Sequence, residues 1–315
     1  MGKDGACLTK PVIEPARSLR VHGVIAAAFL VFCIPALSQN ASGDGGLSAG
    51  ELLRRVVNSE LKAQAHDHTH WMYEVKAGVS GKEQVKVAVQ TREGYLDRLK
   101  FVNGQPITPE QEKQEDQRIA SLLKNPDEQK KQRSAQEQDA RKTERLFQML
   151  PDAVTASYGK REGELVEILF KPNPHFHPPS HEAAVFHAMT GRIWINTREN
   201  RLVEIEGHLT SGVKFGGGLL GHLDKGGEFH VKQSEVAPGL WEITFLHVNM
   251  HGKALFFKTI AVQENEIRTN FQRVPDNLAL SEAAQQLQKR SSVKSALVSG
   301  DAIVPAIGSS QSSSH

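Results

Sequence analysis

The chain has 315 residues, with 38 lysines and arginines against 36 aspartates and glutamates, and a formal net charge of +2. That near balance excludes the strongly basic surface of a nucleic-acid binder, and the length suits one large domain or two small ones. Its two cysteines, Cys7 and Cys33, both lie in the first segment, so the rest of the chain has to be held by its core and not by disulfides.

The first segment reads as an export signal. Val24–Leu37 is an apolar run behind Lys3, Lys10, Arg17 and Arg20, and Ala36-Leu37-Ser38 is a small-x-small cleavage pattern with Gln39 next. Pro35 and the shortness of the run argue against a membrane-spanning helix, which needs roughly 20 apolar residues. Lipid attachment at Cys33 would want a small residue where Phe32 stands. Cleavage near Ser38/Gln39 removes four basic residues and only Asp4 and Glu14, which leaves the mature chain without net charge.

Asn40–Gly46 is a flexible lead-in to a capping box, Ser48-Ala49-Gly50-Glu51. Leu52, Leu53, Val56, Val57 and Leu61 follow at helical spacing, an amphipathic helix with one stripe to bury. Trp71–Ala77 then alternates, Val85–Val89 returns, and Tyr95–Val102 continues to an Asn103-Gly104 turn, a three-strand meander. Thr108-Pro109-Glu110 opens a helical insert that extends to Leu150, and its middle, Asp127–Glu144, is almost wholly charged and amide-bearing. Such a composition forms no core of its own and reads as a solvated helix pair tethered to the sheet, or as a mobile lid or partner-docking arm.

Strands resume at Val154–Tyr158 and Leu165–Phe170, and a proline-broken loop follows from Pro172 to Ser180. Val185–Phe271 is a long strand series. Its clearest hairpin is Met189–Leu209, and turns are expected near Thr190-Gly191, at Thr197–Asn200, at Pro238-Gly239 and at His251-Gly252. Glu228–Val236, Leu240–Met250, Ala254–Val262 and Glu266–Arg273 are the expected later strands. Leu278–Arg290 reads as a short helix and Ser291–His315 as a disordered Ser-rich tail. The domain therefore spans residues 47–274, with its insert at 108–150 and the short helix at 275–290.

Candidate chemistry is sparse. His66, His68 and His70 alternate, and His175, His177 and His181 follow with His187 nearby, but neither run has a zinc-enzyme spacing. Gly216–Gly221 satisfies GxGxxG without the strand and long helix which that fingerprint joins. Glu204 and Glu206 share one strand face and read as a solvated pair. No nucleophile elbow stands out, so the expectation is a non-enzyme without cofactor or metal. Aromatic strand residues are the remaining clue: Trp71, Tyr73, Trp194, Phe215, Phe229, Trp241 and Phe245, with Phe256 and Phe257. They are either core of a sandwich or lining of a groove in an open, curved sheet.

With these elements placed, the chain resembles periplasmic proteins with the lipoprotein-sorting (LolA-like) fold. The likeness lies in the leader, the first helix (Leu52–Leu61), the meander from Trp71, and MTGRIWINTRENRLVEIEG at Met189–Gly207. In closer detail, Phe170–Ser180 and Lys214–Phe229 resemble uncharacterised exported proteins of soil bacteria. The resemblance implies an α+β fold, an incomplete antiparallel barrel with a helix on its concave face, that holds a lipid or lipoprotein acyl chain. It further implies a periplasmic monomer with no nucleic-acid partner and at most transient membrane contact. Departures are the charged insert and the lack of a matched lid-locking arginine. The alternatives are an envelope scaffold acting through the charged arm and a His-dependent metal binder.

Overall fold

The structure is a computed structural model that describes residues 46–78, 82–215, 221–254 and 258–298. The leader, five residues of the Gly216–Gly221 loop, Phe256, Phe257 and the tail from 299 lie outside the described residues.

Helix α1 spans Ala49–His66 and starts at the capping box. Ser48 Oγ accepts the Glu51 N–H at 3.3 Å, and Glu51 Oε2 accepts the Ser48 N–H at 2.7 Å. The meander follows as β1 (His70–Ala77), β2 (Gln84–Thr91), β3 (Gly94–Val102) and the short β4 (Gln105–Pro106). The insert is two helices, α2 (Pro109–Leu123) and α3 (Pro126–Ala153), each with Pro in its first turn behind a capping side chain, Thr108 and Asn125 respectively. The second strand series is β5 (Val154–Glu162), β6 (Leu165–Pro172), β7 (Met189–Asn196), β8 (Arg201–Leu209), β9 (Val213–Phe215), β10 (Gly221–Leu223), β11 (Glu228–Ala237), β12 (Leu240–Ala254) and β13 (Lys258–Val274). A 3-10 turn, Glu182–His187, precedes β7, and α4 (Leu280–Val298) ends the described chain.

These strands form one antiparallel sheet of 13 strands in the order β4-β3-β2-β1-β13-β12-β11-β8-β7-β6-β5, with β10 and β9 branching from β12. The two ends of that path do not pair, so the sheet is open. It is neither a sandwich nor a closed barrel. Consecutive hairpins account for most neighbours. The exceptions are β8 with β11, β10 with β12, and the seam between β1 and β13, where His70 pairs with Val274 and Ala77 with Glu266, and where the first meander joins the last strand.

Each face has its own cover. Leu52, Leu53, Val56 and Val57 of α1 are all at most 1% exposed. They pack with Leu146 and Leu150 of α3 over Ile168, Ile193, Ile195, Leu209, Phe229 and Val248. We call this the inner face. Following the register across β12, β13 and β1 puts Leu246, Glu266, Arg268, Val75, Tyr73 and Trp71 on the same side. Met72, Val89 and Leu96 point the other way. They pack against Ile119 of α2 and Leu280, Ala283 and Leu287 of α4, so these two helices cover the outer face at the meander end.

Three details differ from the sequence reading. Thr190-Gly191 is no turn but lies inside β7, paired with His208 and Gly207 of β8. His251-Gly252 is no turn. It lies inside β12, where Gly252 pairs with both Leu223 and Ile260, and a Cβ there would sit 2.1 Å from the His222 carbonyl oxygen. Glycine at this point answers a close backbone approach and not a reversal. Consequently the two expected final strands are one, β13. Helix α4 also runs past Arg290 to Val298, into the stretch expected to be a tail.

Candidate functional site

The inner face is covered unevenly. Over β5–β8 and β11 it is filled by α1 and the end of α3. Toward β1, β13 and β12 the cover changes to a small aromatic cluster. Trp71 (2% exposed), Tyr73 (7%) and Ala88 pack with Phe271 and with Val236, Ala237 and Leu240 from the β11–β12 hairpin. The Tyr73 and Phe271 rings stack at 5.1 Å and 20°, and Trp71 meets Phe271 edge-on at 6.2 Å.

Beside this cluster the sheet opens. The β1–β13 register shifts between Met72 and Glu74, and Asn270 takes a positive φ of 57°, as an extra residue in a bulge does. Asn270 donates from Nδ2 to Glu74 Oε2 at 2.9 Å. A cavity of about 310 Å³ lies here, lined by Met72, Tyr73, Glu74, Val87, Asn270, Phe271 and Gln272. That volume is at the lower end of small-molecule sites.

Charged groups border the cluster. Arg268 donates from Nε and from one terminal nitrogen to Glu266 Oε2 at 3.1 and 2.7 Å, and lies 5.8 Å from the centre of the Tyr73 ring. Burial pushes the carboxyls of Glu242 and Glu264 up from 4.5 to about 7, against the pull of Arg268. Burial also raises the phenols of Tyr73 and Tyr95. Burial would raise Asp97 too, but Lys86 and Arg118 hold it below the ordinary carboxylate value. An aromatic floor with acids titrating near neutrality suits a ligand that has both an apolar part and a polar end.

The seven aromatic residues singled out from sequence do not line one groove. Trp71 and Tyr73 belong to the cluster just described, whereas Phe229 is 4% exposed inside the main core. Phe215 packs on the edge of that core from β9. Trp241 lies under the Arg201 guanidinium, 5.7 Å from the ring centre. Trp194 and Phe245 face outward. Trp194 stands between the fully buried Ile193 and Ile195 and pairs with Glu167 and Glu204. Phe245 pairs with Lys232 and with the exposed Ile267. The alternation of a strand put these two on the face opposite the core, so their place in a shared groove is corrected. Sequence reading missed Phe271 and Arg268: they are three residues apart and share a side only because of the bulge at Asn270, in a segment read as a separate, short last strand.

The histidine runs also resolve. His66 ends α1, where its Nδ1–H donates to the Lys62 carbonyl at 2.7 Å. His68 lies in the following loop and His70 opens β1, so the three are not on one extended face. His175, His177 and His181 are exposed on the proline-broken loop. Among the described residues neither run brings three ligand atoms together.

No family model and no curated protein matches the chain. Among solved structures, it is similar to a crystal structure from Vibrio parahaemolyticus provisionally named an outer membrane lipoprotein-sorting protein domain. The identity is 10% and the TM-score 0.25, over 74% of this chain and 97% of that one. At that identity and score the likeness assigns no function.

Proposed function

We propose that the protein binds an apolar or amphipathic ligand, a lipid or lipoprotein acyl chain, without chemistry, at the β1–β13 seam. The carrying observation is the cavity at the bulge, where Tyr73 and Phe271 of the aromatic cluster meet Met72, Glu74, Val87, Asn270 and Gln272. Aromatic walls remove apolar ligand surface from water, worth about 25 cal/mol per Å², while Arg268 and the raised carboxyls of Glu242 and Glu264 meet the polar end. The export signal read from the first segment puts this binding in the periplasm. Among the described residues no helix is long and apolar enough to cross a membrane.

Native mass spectrometry of protein isolated from its own periplasm, with titration of a fluorescent fatty acid, tests the reading. Phe271→Ala is expected to weaken probe binding about tenfold, the effect of losing one buried aromatic contact of ~1.4 kcal/mol, while Trp194→Ala on the outer face leaves it unchanged. No co-purifying lipid together with no fluorescence response would refute it.

A second reading has an observation of its own. Lys130, Lys131 and Arg133 on α3 are all exposed, as on a surface that docks a partner in the envelope. Reversing their charges separates the two, since a carrier keeps its ligand and a scaffold loses its partner.

A further inference from the structure

On the outer face, away from the seam, two carboxylates and an imidazole converge. Glu204 and Glu206 sit two residues apart on β8, hence on one side, and the register sets His230 opposite Glu206 and Lys232 opposite Glu204 on β11. The His230 Nε2–H donates to Glu204 Oε1 at 2.6 Å and lies 3.9 Å from Glu206 Oε2. The other carboxylate oxygens are held from outside. Lys232 Nζ is 3.1 Å from Glu204 Oε2, and Arg192 Nε is 2.8 Å from Glu206 Oε1. The pair expected from sequence to be solvated is half-buried: the Glu204 side chain is 17% exposed, that of His230 26% and that of Glu206 32%.

We infer that Glu204, Glu206 and His230 form a binding site for a divalent transition cation of the zinc type. All three ligand atoms lie within 4.8 Å of one another. Tetrahedral zinc with bonds of about 2.0–2.2 Å sets its ligand atoms roughly 3.4 Å apart. The His230 separations of 2.6 and 3.9 Å straddle that distance, so small side-chain rotations reach it with no backbone shift. Two paired strands hold the three ligands, so the site is rigid before the ion arrives. Lys232 and Arg192 do what outer partners of metal ligands do: each fixes one oxygen of a carboxylate and leaves the other aimed inward. The ion takes the place of the proton on Nε2, and the imidazole then binds it as the Nδ1–H tautomer. The fourth position, toward solvent, is left to water, which makes this an open site and not a closed structural one.

The test is equilibrium dialysis of the full chain against zinc, with the metal then counted per chain. Wild type is compared with Glu204→Gln/Glu206→Gln, with His230→Ala, and with His175→Ala/His177→Ala/His181→Ala as the control for loosely held metal. Stoichiometric zinc is expected in wild type and in the loop variant, and its loss in both site variants. Zinc should also raise the unfolding temperature of wild type and not of the site variants. Zinc retained in the site variants, zinc lost with the loop histidines, or no zinc in wild type would each overturn the assignment. Should the site variants fail to fold, X-ray absorption of zinc-loaded wild type decides: one imidazole with oxygen ligands supports the site, and two or more imidazoles sink it.

Discussion

Gly191 shows how a single missing side chain can be structural. In β7 a Cβ at this position would lie 1.9 Å from the Glu206 carbonyl oxygen and 2.7 Å from Phe170 Cζ, because the Phe170 ring lies over the glycine. Gly191→Ala is therefore expected to cost on the order of 2 kcal/mol, the scale of an overpacked core. Gly50→Ala should act in the opposite sense. Gly50 lies in α1 with nothing within 4 Å of its virtual Cβ, so the helix gains roughly 0.5 kcal/mol. Urea midpoints of the two variants, moving in opposite directions, check both. Glu60 is a third such residue. Its Oε1 accepts the Leu202 N–H at 2.7 Å and its Oε2 pairs with Arg201 at 3.2 Å, and both side chains are largely buried. Removing one partner of a buried pair strands the other, so Glu60→Ala is expected to lose about 3 kcal/mol, and the double Glu60→Leu/Arg201→Met should recover much of that loss.

At the scale of elements, the helices were legible because their signals are local. Ser48 with Glu51 and Thr108 with Gln111 form caps within three residues of chain, and the apolar stripe of α1 states which side is buried. Leu53, 0% exposed, lies at the centre of that stripe, and Leu53→Ala should destabilise by roughly 3 kcal/mol, read as a lowered unfolding temperature. Helix α3 behaves as its composition demanded. Gln129, Gln132, Gln136, Asp139 and Thr143 form its half-buried stripe, and apolar burial begins only at Leu146. Near its start it passes the β2–β3 turn, with Gln136 Oε1 3.7 Å from the virtual Cβ of Gly94, and at its end it joins α1 and β5. It therefore links the two ends of the sheet path, which no local pattern announces.

At the scale of the whole molecule, the inner face sets a pH dependence. Glu242 and Glu264 titrate near 7 when folded and near 4.5 when unfolded. The fold thus favours their neutral form, a stabilisation fully present below about pH 4.5 and lost as pH rises through 7. Urea midpoints taken across that window should fall for wild type, and the slope should flatten in Glu242→Gln/Glu264→Gln; an unchanged slope would reject the assignment. Asp97 acts in the opposite direction, since its lowered value adds stability that disappears as pH falls. The first effect arises from packing that brings distant strands together, and the same distinction separates what was readable from what was not. Capping boxes, strand alternation, turn dipeptides and the unequal composition of the insert act over a few residues, so the sequence by itself determined the elements, the α+β class and which side chains share a strand face. It could not say which face meets the core, because period two fixes parity and not direction. Trp194 and Trp71 look alike in the chain, yet one lies outside and the other within. The β1–β13 seam with its bulge and cavity, and the meeting of Glu204 and Glu206 with His230, were decided only by the tertiary structure, because each depends on pairing between strands far apart in sequence, and the energy of such pairing resides in the assembled sheet.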